Sequence, residues 1–332
     1  MNSDGGRADI SGVETQLKIR VPATSANLGP GFDVLGLALD MYNEFTVSVS
    51  ETTLIEITGH GEGMPLDSSN LFYTAFAHLY ASQREQPPPL YIRMMLDIPA
   101  GRGLGSSATA VVGGLAAANA LMGGRFTNEQ LLPHAVHLEQ GQHADNVAPA
   151  LLGGLVANVI SGEQVISVPV TFPHDLAAVL FIPAFEMNTI QGRALMPSQY
   201  SKADVVFSTS RVALFLAALT RGRYDLLRVA MEDRIHQPYR AQIFPLMPSL
   251  IGAALDNGAH GACLSGGGSS ILALATNNFD KIASALRSTA EAAGITGQTR
   301  VLGINRHGVT IERIENSAPH GETHKKNKEN IE

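Results

Sequence analysis

A chain of 332 residues with 45% apolar and 16% charged side chains can bury one large core or two, and is not disordered as a whole. Its 23 Lys and Arg against 30 Asp and Glu leave a net charge of −7, which disfavours nucleic acid and acidic lipid as partners. Cys263 is the single cysteine, which excludes an internal disulfide framework and a cysteine-rich zinc site.

In chain order, residues 1–12 are polar, carry Asp4 and Asp9, and read as a solvated tail without the apolar core of a secretory signal. Residues 17–21, 44–49, 54–58 and 90–98 alternate or run apolar like strands. Helices are predicted over 70–82, capped by Ser68 or Ser69, over 106–122 and over 128–138. Strands over 156–160, 165–170 and 176–182 lead into helices over 203–220, 224–233 and 248–256. Two strands, 262–264 and 270–274, flank a second glycine-rich loop. A helix over 279–293 and strands over 301–304 and 309–313 close the sheet, and residues 317–332 form a second tail. Strand pairs mixed with helices, without regular alternation, predict an α+β protein with a domain junction between residues 156 and 176. The densest apolar run, 212–219, is too short to span a bilayer, so a cytoplasmic protein with no membrane partner is expected.

The stretch with the clearest chemistry is Pro99-Ala100-Gly101-Arg102-Gly103-Leu104-Gly105-Ser106-Ser107-Ala108. Three glycines allow a close approach of backbone to an anion, and Ser106 and Ser107 open a helix whose free N–H groups would face it. The loop lacks the Lys of a Walker sequence and the spacing of a dinucleotide fingerprint, so it is a phosphate loop of a third kind. Upstream, Asn27 and Asp33 stand six apart across Gly29-Pro30-Gly31, where an amide and a carboxylate can be aimed at one ligand. The run 139–146 holds Glu139, His143, Asp145 and Asn146, a set better suited to a hard, oxygen-coordinated ion than to zinc. Ser265-Gly266-Gly267-Gly268-Ser269 is too glycine-rich for a plain hairpin and predicts close approach to another backbone or a ligand.

These blocks, in this order, resemble the GHMP small-molecule kinases, over roughly residues 18–313. Within that superfamily the run Pro22-Ala23-Thr24-Ser25-Ala26-Asn27-Leu28-Gly29-Pro30-Gly31-Phe32-Asp33 is similar to the homoserine kinases. So are the segment from His143 through Asp145 and Asn146, Thr189 with Arg193, and Asp233 to Arg240. The resemblance implies a two-domain α+β fold: a ribosomal-protein-S5-like βαβ domain over 15–165 and a ferredoxin-like domain over 166–315, between tails 1–14 and 316–332. It implies ATP and Mg²⁺ as cofactors, L-homoserine as the small-molecule substrate, a step in threonine biosynthesis, and a homodimer.

By the same resemblance Pro99, Gly101, Arg102, Gly103, Leu104, Gly105, Ser106, Ser107, Ser265, Gly266 and Gly267 would bind the nucleotide. Glu139 would hold the metal with a serine hydroxyl, taken as Ser107. Asn27, Asp33, His143 and Thr189 would surround the substrate, with Arg193 and Arg240 on its carboxylate; Arg234 is a third candidate and His236 a structural residue. The place of a catalytic base falls on Asn146, with Asp145 beside it, and the sequence leaves the two open. Ser269 departs from the proline usual in the third motif. Two alternatives stay open: a GHMP kinase for another small alcohol, and a catalytically silent ATP sensor.

Overall fold

The structure, a computed structural model, describes residues 14–139 and 143–316; the expected tails at 1–12 and 317–332, and Gln140 to Gln142, lie outside the described residues. The first half comprises β1 (Glu14–Ala26), β2 (Leu35–Val49), β3 (Leu54–Gly59), α1 (Leu71–Ser82), β4 (Leu90–Leu96), α2 (Ser106–Leu121), α3 (Asn128–Leu138), α4 (Val147–Leu152), β5 (Leu155–Ser161) and β6 (Gln164–Val170). Then come β7 (Ala177–Pro183), α5 (Thr189–Ala194), α6 (Lys202–Thr220), α7 (Leu227–Ala230), α8 (Gln237–Arg240) and α9 (Met247–Asp256). The chain closes with β8 (Gly261–Leu264), β9 (Ile271–Ala275), α10 (Phe279–Ala292), β10 (Gly297–Leu302) and β11 (Thr310–Asn316).

One sheet runs β11-β1-β2-β4-β3, with β5 paired to the start of β2 and β6 to β5. β3 and β4 are parallel and joined through α1; the other pairs are antiparallel. Alternation decides which face is covered. Leu17, Ile19 and Val21 of β1 and Phe45 and Val47 of β2 are buried in one cluster with Phe72, Phe76 and Leu79 of α1 and Val111, Val112 and Leu115 of α2. The two helices pack closely because Gly114 has no side chain: a Cβ there would lie 2.1 Å from the Phe72 carbonyl oxygen. That approach offsets the cost of a mid-helix glycine, about 1 kcal/mol against alanine.

The second sheet, β10-β7-β9-β8, is antiparallel throughout. Its inner strand β7 is buried on both faces. Ala178, Leu180 and Ile182 join a core with Leu35, Leu37 and Leu39 of β2 and Phe215 and Leu219 of α6. Val179 and Phe181 pack instead with Leu250 of α9 and Leu286 of α10. The architecture is two-domain α+β, and the shared core fixes the start of β2 against the second sheet.

Several elements differ from the sequence expectation for identifiable reasons. β2 begins at Leu35, because residues 35–39 are buried on both sides and show no polar alternation. Asn70, not Ser68 or Ser69, caps α1, its Oδ1 accepting the Phe72 N–H at 3.0 Å. The helix expected over 224–233 is a 3-10 turn followed by α7, which stops at Ala230. There the Asp233 carboxylate takes the N–H groups of Ile235, His236 and Gln237 and starts α8. The last two strands part: β10 joins β7, and β11 returns to β1. The boundary expected between 165 and 166 falls inside β6. α6 has the length and composition of a bilayer span, which the reading of 212–219 missed, yet it seats Phe215, Ala218 and Leu219 in the second core.

Candidate active site

Gly101, Gly103 and Gly105 adopt φ of 68, 74 and 71°, a left-handed run that curls the backbone into the N-terminus of α2. Gly105 is the N-cap and offers no side chain, so the first N–H groups of α2 keep their positive end free for an anion. The second glycine loop, between β8 and β9, locks this curl from behind. Ser265 Oγ donates to the Gly103 carbonyl at 2.7 Å and Ser270 N–H to the Arg102 carbonyl at 3.1 Å. A Cβ on Gly268 would fall 1.9 Å from the Gly103 nitrogen, the backbone approach its composition predicts. Ser269, where proline is usual in the resembled motif, ties the loop to the Phe185 carbonyl at 2.8 Å.

Together the loops bound a cavity of about 210 Å³, lined by Pro99, Gly101, Gly103, Leu104, Gly105, Ser106, Ser107, Gly266 and Gly267, with Glu139, His143, Asn146 and Thr189 opposite. Two expected nucleotide contacts are not in its lining. Arg102 turns its guanidinium onto the carbonyls of Ala100, Pro183 and Ala184 and pairs with Glu186 at 2.6 Å. Ser265 is fully buried between the loops.

α3 ends so that Glu139 faces Ser107, whose hydroxyl donates to Glu139 Oε1. Burial raises the Glu139 pKa against the pull of that hydrogen bond. Among the described residues no Lys or Arg pairs with it. His143 Nδ1 lies 3.0 Å from Asp145 Oδ1, and this hydrogen bond lifts the imidazole pKa above its ordinary value. Asp145 is 2% exposed and does not line the cavity, while Asn146 lines it and accepts the Thr24 hydroxyl at 2.8 Å. Asp33, His143 and Asp145 bring ligand atoms within 4.8 Å of one another.

The N-terminal motif carries the backbone strain of the site: Asn27, Leu28 and Asp33 have φ of 70, 49 and 60°. Both ends of the Asn27 amide are engaged. Nδ2 donates to the Gly266 carbonyl at 3.0 Å and Oδ1 accepts the Asp33 N–H at 3.0 Å. Asn27 thereby couples Asp33 to the second glycine loop. The Asp33 carboxylate receives a forked pair of bonds from Arg193.

Arg240 is 1% exposed and donates through Nη1 to His236 Nδ1 at 2.7 Å and to the Gly266 carbonyl at 2.9 Å. Since Nδ1 accepts, His236 is neutral and donates Nε2–H to the Gly29 carbonyl at 2.8 Å. Burial pushes the His236 pKa down to about 4, and burial followed by Arg193 brings Arg240 to about 10. The Arg240 Nε has no partner among the described residues. A Cβ on Gly267 would sit 3.3 Å from Arg240 Nη2 and 2.9 Å from Thr189 Cγ2, so Arg240, Thr189 and the second loop meet at one point.

A cleft of about 750 Å³, lined by Ser107, Glu139, His143, Thr189 and Arg193, opens onto the cradle and shares four lining residues with it. Asn27, Asp33 and Arg240 line neither cavity, and Arg234 is likewise absent and reaches Asp204 on the surface. Sequence reasoning missed Thr24 and Phe32, whose ring lies 5.0 Å from the Arg193 guanidinium and 5.6 Å from that of Arg240. It also missed an apolar cavity of about 250 Å³ against Ser106 and Ser107, lined by Phe45, Leu71, Met94 and Leu96 among others. That cavity draws on residues far apart in the chain, so no local pattern announces it.

Comparison with known proteins places the chain in a family. Residues 70–154 match the family model of the GHMP kinases N terminal domain, and residues 215–292 that of the GHMP kinases C terminal domain. The chain is 42% identical over 304 residues to the homoserine kinase of Trichormus variabilis, covering 90% of this chain and 99% of that protein. It is 40% identical to the homoserine kinase of Persephonella marina, with 90% and 99% covered. The crystal structure of homoserine kinase from Cytophaga hutchinsonii superposes with a TM-score of 0.82 at 31% identity, over 93% of this chain and 100% of that one.

Proposed function

Because this chain belongs to the GHMP kinase family, we propose that it transfers the γ-phosphoryl group of ATP to the side-chain hydroxyl of L-homoserine, giving O-phospho-L-homoserine for threonine biosynthesis. One observation supports the substrate: Arg193 lines a cleft continuous with the glycine-curled anion cradle and holds the Asp33 carboxylate in a forked pair. A substrate for such a cleft has an ammonium, a carboxylate and a nucleophilic oxygen within a few bonds.

The residues fit ATP and Mg²⁺. The N–H groups of 103–107 suit the phosphates, the apolar cavity beside Ser106 suits a planar base, and the desolvated Glu139 with the Ser107 hydroxyl suits a metal that keeps most of its waters. The nucleotide supplies the transferable group, and the metal would offset phosphate charge. Asp33 would hold the substrate ammonium, and Arg193 and Arg240 its carboxylate. Asn27 acts through Asp33, while His143 and Thr189 wall the acceptor. Asn146, which lines the cavity, is favoured over the buried Asp145 for contact with the acceptor hydroxyl. Catalysis would then rest on positioning and electrostatics more than on a strong base.

We further propose a cytoplasmic homodimer with the first domain extended through β6 and completed by β11. The exposed apolar row Val159, Ile166 and Val168 on β5 and β6 supports the dimer. A coupled ADP-release assay tests the activity: turnover is expected with L-homoserine and not with L-serine, L-threonine, mevalonate or galactose. Turnover of mevalonate or galactose in its place would make this a GHMP kinase for another alcohol. ATP binding without turnover of any of them would make it a silent sensor.

A further inference from the structure

We propose that His78, His134 and His137 form a binding site for a late transition-metal dication of the Zn²⁺ class, across the seam between α1 and α3. The proposal is independent of the kinase reading. His134 and His137 are three residues apart on α3, one helical turn, and so share a face. His78 of α1 meets that face between them: its Nε2 lies 3.1 Å from His134 Nδ1, and its ring stacks on His137 with centroids 5.4 Å apart.

One N–H···N hydrogen bond satisfies the facing nitrogens of His78 and His134, and among the described residues none of the three rings has a carboxylate or carbonyl partner that an ion would have to displace. A tetrahedral ion with Zn–N bonds of about 2.0–2.1 Å needs nitrogens about 3.3 Å apart, close to the separation already present. His137 is exposed and stacked on His78, its nitrogens not yet gathered with those of the pair, so it would have to turn to become the third ligand. Three imidazoles would leave a fourth position to water. An all-imidazole set selects Zn²⁺, Cu²⁺ or Ni²⁺ over Mg²⁺. Without outer-shell carboxylates to orient the rings, the site would exchange its ion readily.

The experiment uses full-length protein stripped with a chelator and titrated calorimetrically with ZnCl₂ alone, without nucleotide. One equivalent is expected to bind and raise the melting temperature, while MgCl₂ does not compete. His78→Gln and His134→Gln should each weaken binding at least about tenfold, more than the loss of an outer-shell partner at its mildest. Each variant should melt like wild type without metal and keep its ATP-dependent turnover. Should His78→Gln fail to fold, His134→Gln on the other helix carries the test. A His143→Gln control should bind Zn²⁺ as wild type does. The proposal is overturned if wild type binds no Zn²⁺, if folded His134→Gln binds it undiminished, or if only His143→Gln loses it, which would place the ion at Asp33, His143 and Asp145.

Discussion

Arg193 and Asp33, 160 residues apart in sequence, form a forked ion pair, with Nη2 2.7 Å from Oδ1 and Nη1 2.9 Å from Oδ2. Each satisfies the other's charge in a half-buried setting, where a lone ion would be costly. A zwitterionic alcohol brings both charges at once. Its carboxylate can take Arg193 and its ammonium Asp33, so that one ion pair becomes two and no charge is stranded. An uncharged alcohol offers no such exchange, so under the proposed function the pair would act as a filter for amino acids.

Accordingly, Arg193→Gln and Asp33→Asn are each expected to raise KM for L-homoserine by about 10–100-fold, the worth of a lost charged hydrogen bond of roughly 1.5–3 kcal/mol. KM for ATP should change little. Steady-state kinetics with each substrate varied in turn checks this; a rise confined to ATP would remove the pair from the substrate site.

Asp145 and Asn146 are adjacent in sequence but differ in placement, and the difference sets opposite expectations. Asn146→Ala should lower kcat, since Asn146 lines the cavity. Asp145→Asn should spare most of kcat and move the pH profile, because the hydrogen bond that His143 donates to Asp145 raises the His143 pKa. Removing that charge drops the pKa, and any activity limb that follows His143 shifts to lower pH. A fall in kcat of about 10²–10⁴ in Asp145→Asn, with KM unchanged, would mark a general base instead.

Glu139→Gln should separate stability from function. The folded-state pKa of Glu139 is raised by burial, so its ionised form opposes folding above the unfolded carboxylate range. The neutral amide removes that penalty. The variant is expected to melt higher than wild type at pH 7.5 without metal or nucleotide, yet to lose about 10²-fold or more in kcat. Differential scanning calorimetry and ADP release measure the two. A lower melting temperature would show that the Ser107 bond outweighs desolvation.

His236 gives a pH signature of the opposite origin. Its folded-state pKa is about 4, below that of an unfolded histidine, so the unfolded chain binds the extra proton first as pH falls. Stability should therefore decline from about pH 6.5 downward. His236→Gln is expected to flatten that decline between pH 6.5 and 5 while raising KM for homoserine, since Arg240 loses the acceptor that holds Nη1. Melting temperatures across this range, compared with wild type, provide the check.

What was legible in the sequence was local. The anion loop could be read because Gly101, Gly103, Gly105 and Ser106 lie within six residues and their backbone needs are set by their own side chains. The close approach of the second loop could be read from three consecutive glycines. What was hidden depends on distant partners. Arg102 looks like a phosphate ligand until Pro183, Ala184 and Glu186 arrive to claim its guanidinium. Asn27 reads as a ligand group until the Gly266 carbonyl occupies its amide. The first residues of β2 lack alternation because two cores cover them. His236 read as structural and is buried, but only the fold reveals that it orients Arg240.

The joint between the two glycine loops can be tested at one atom. Gly103 has φ of 74°, and a Cβ there would lie 2.0 Å from the Ser265 carbonyl oxygen and 2.7 Å from the Gly268 nitrogen. Both contacts are to backbone, so no side-chain rotation relieves them. Gly103→Ala therefore pays for a left-handed alanine and for a collision that pushes the loops apart, together about 2 kcal/mol or more. The cradle N–H groups belong to one loop, and Arg240 is tied to the other through the Gly266 carbonyl. Separating the loops should weaken ATP and homoserine together, a paired loss that damage to either subsite alone does not give. Ser265→Ala is the milder companion: it removes the hydroxyl bond to Gly103 without a clash and should shift both KM values in the same direction by less. If Gly103→Ala changed KM for ATP alone, the two loops would not act as one unit.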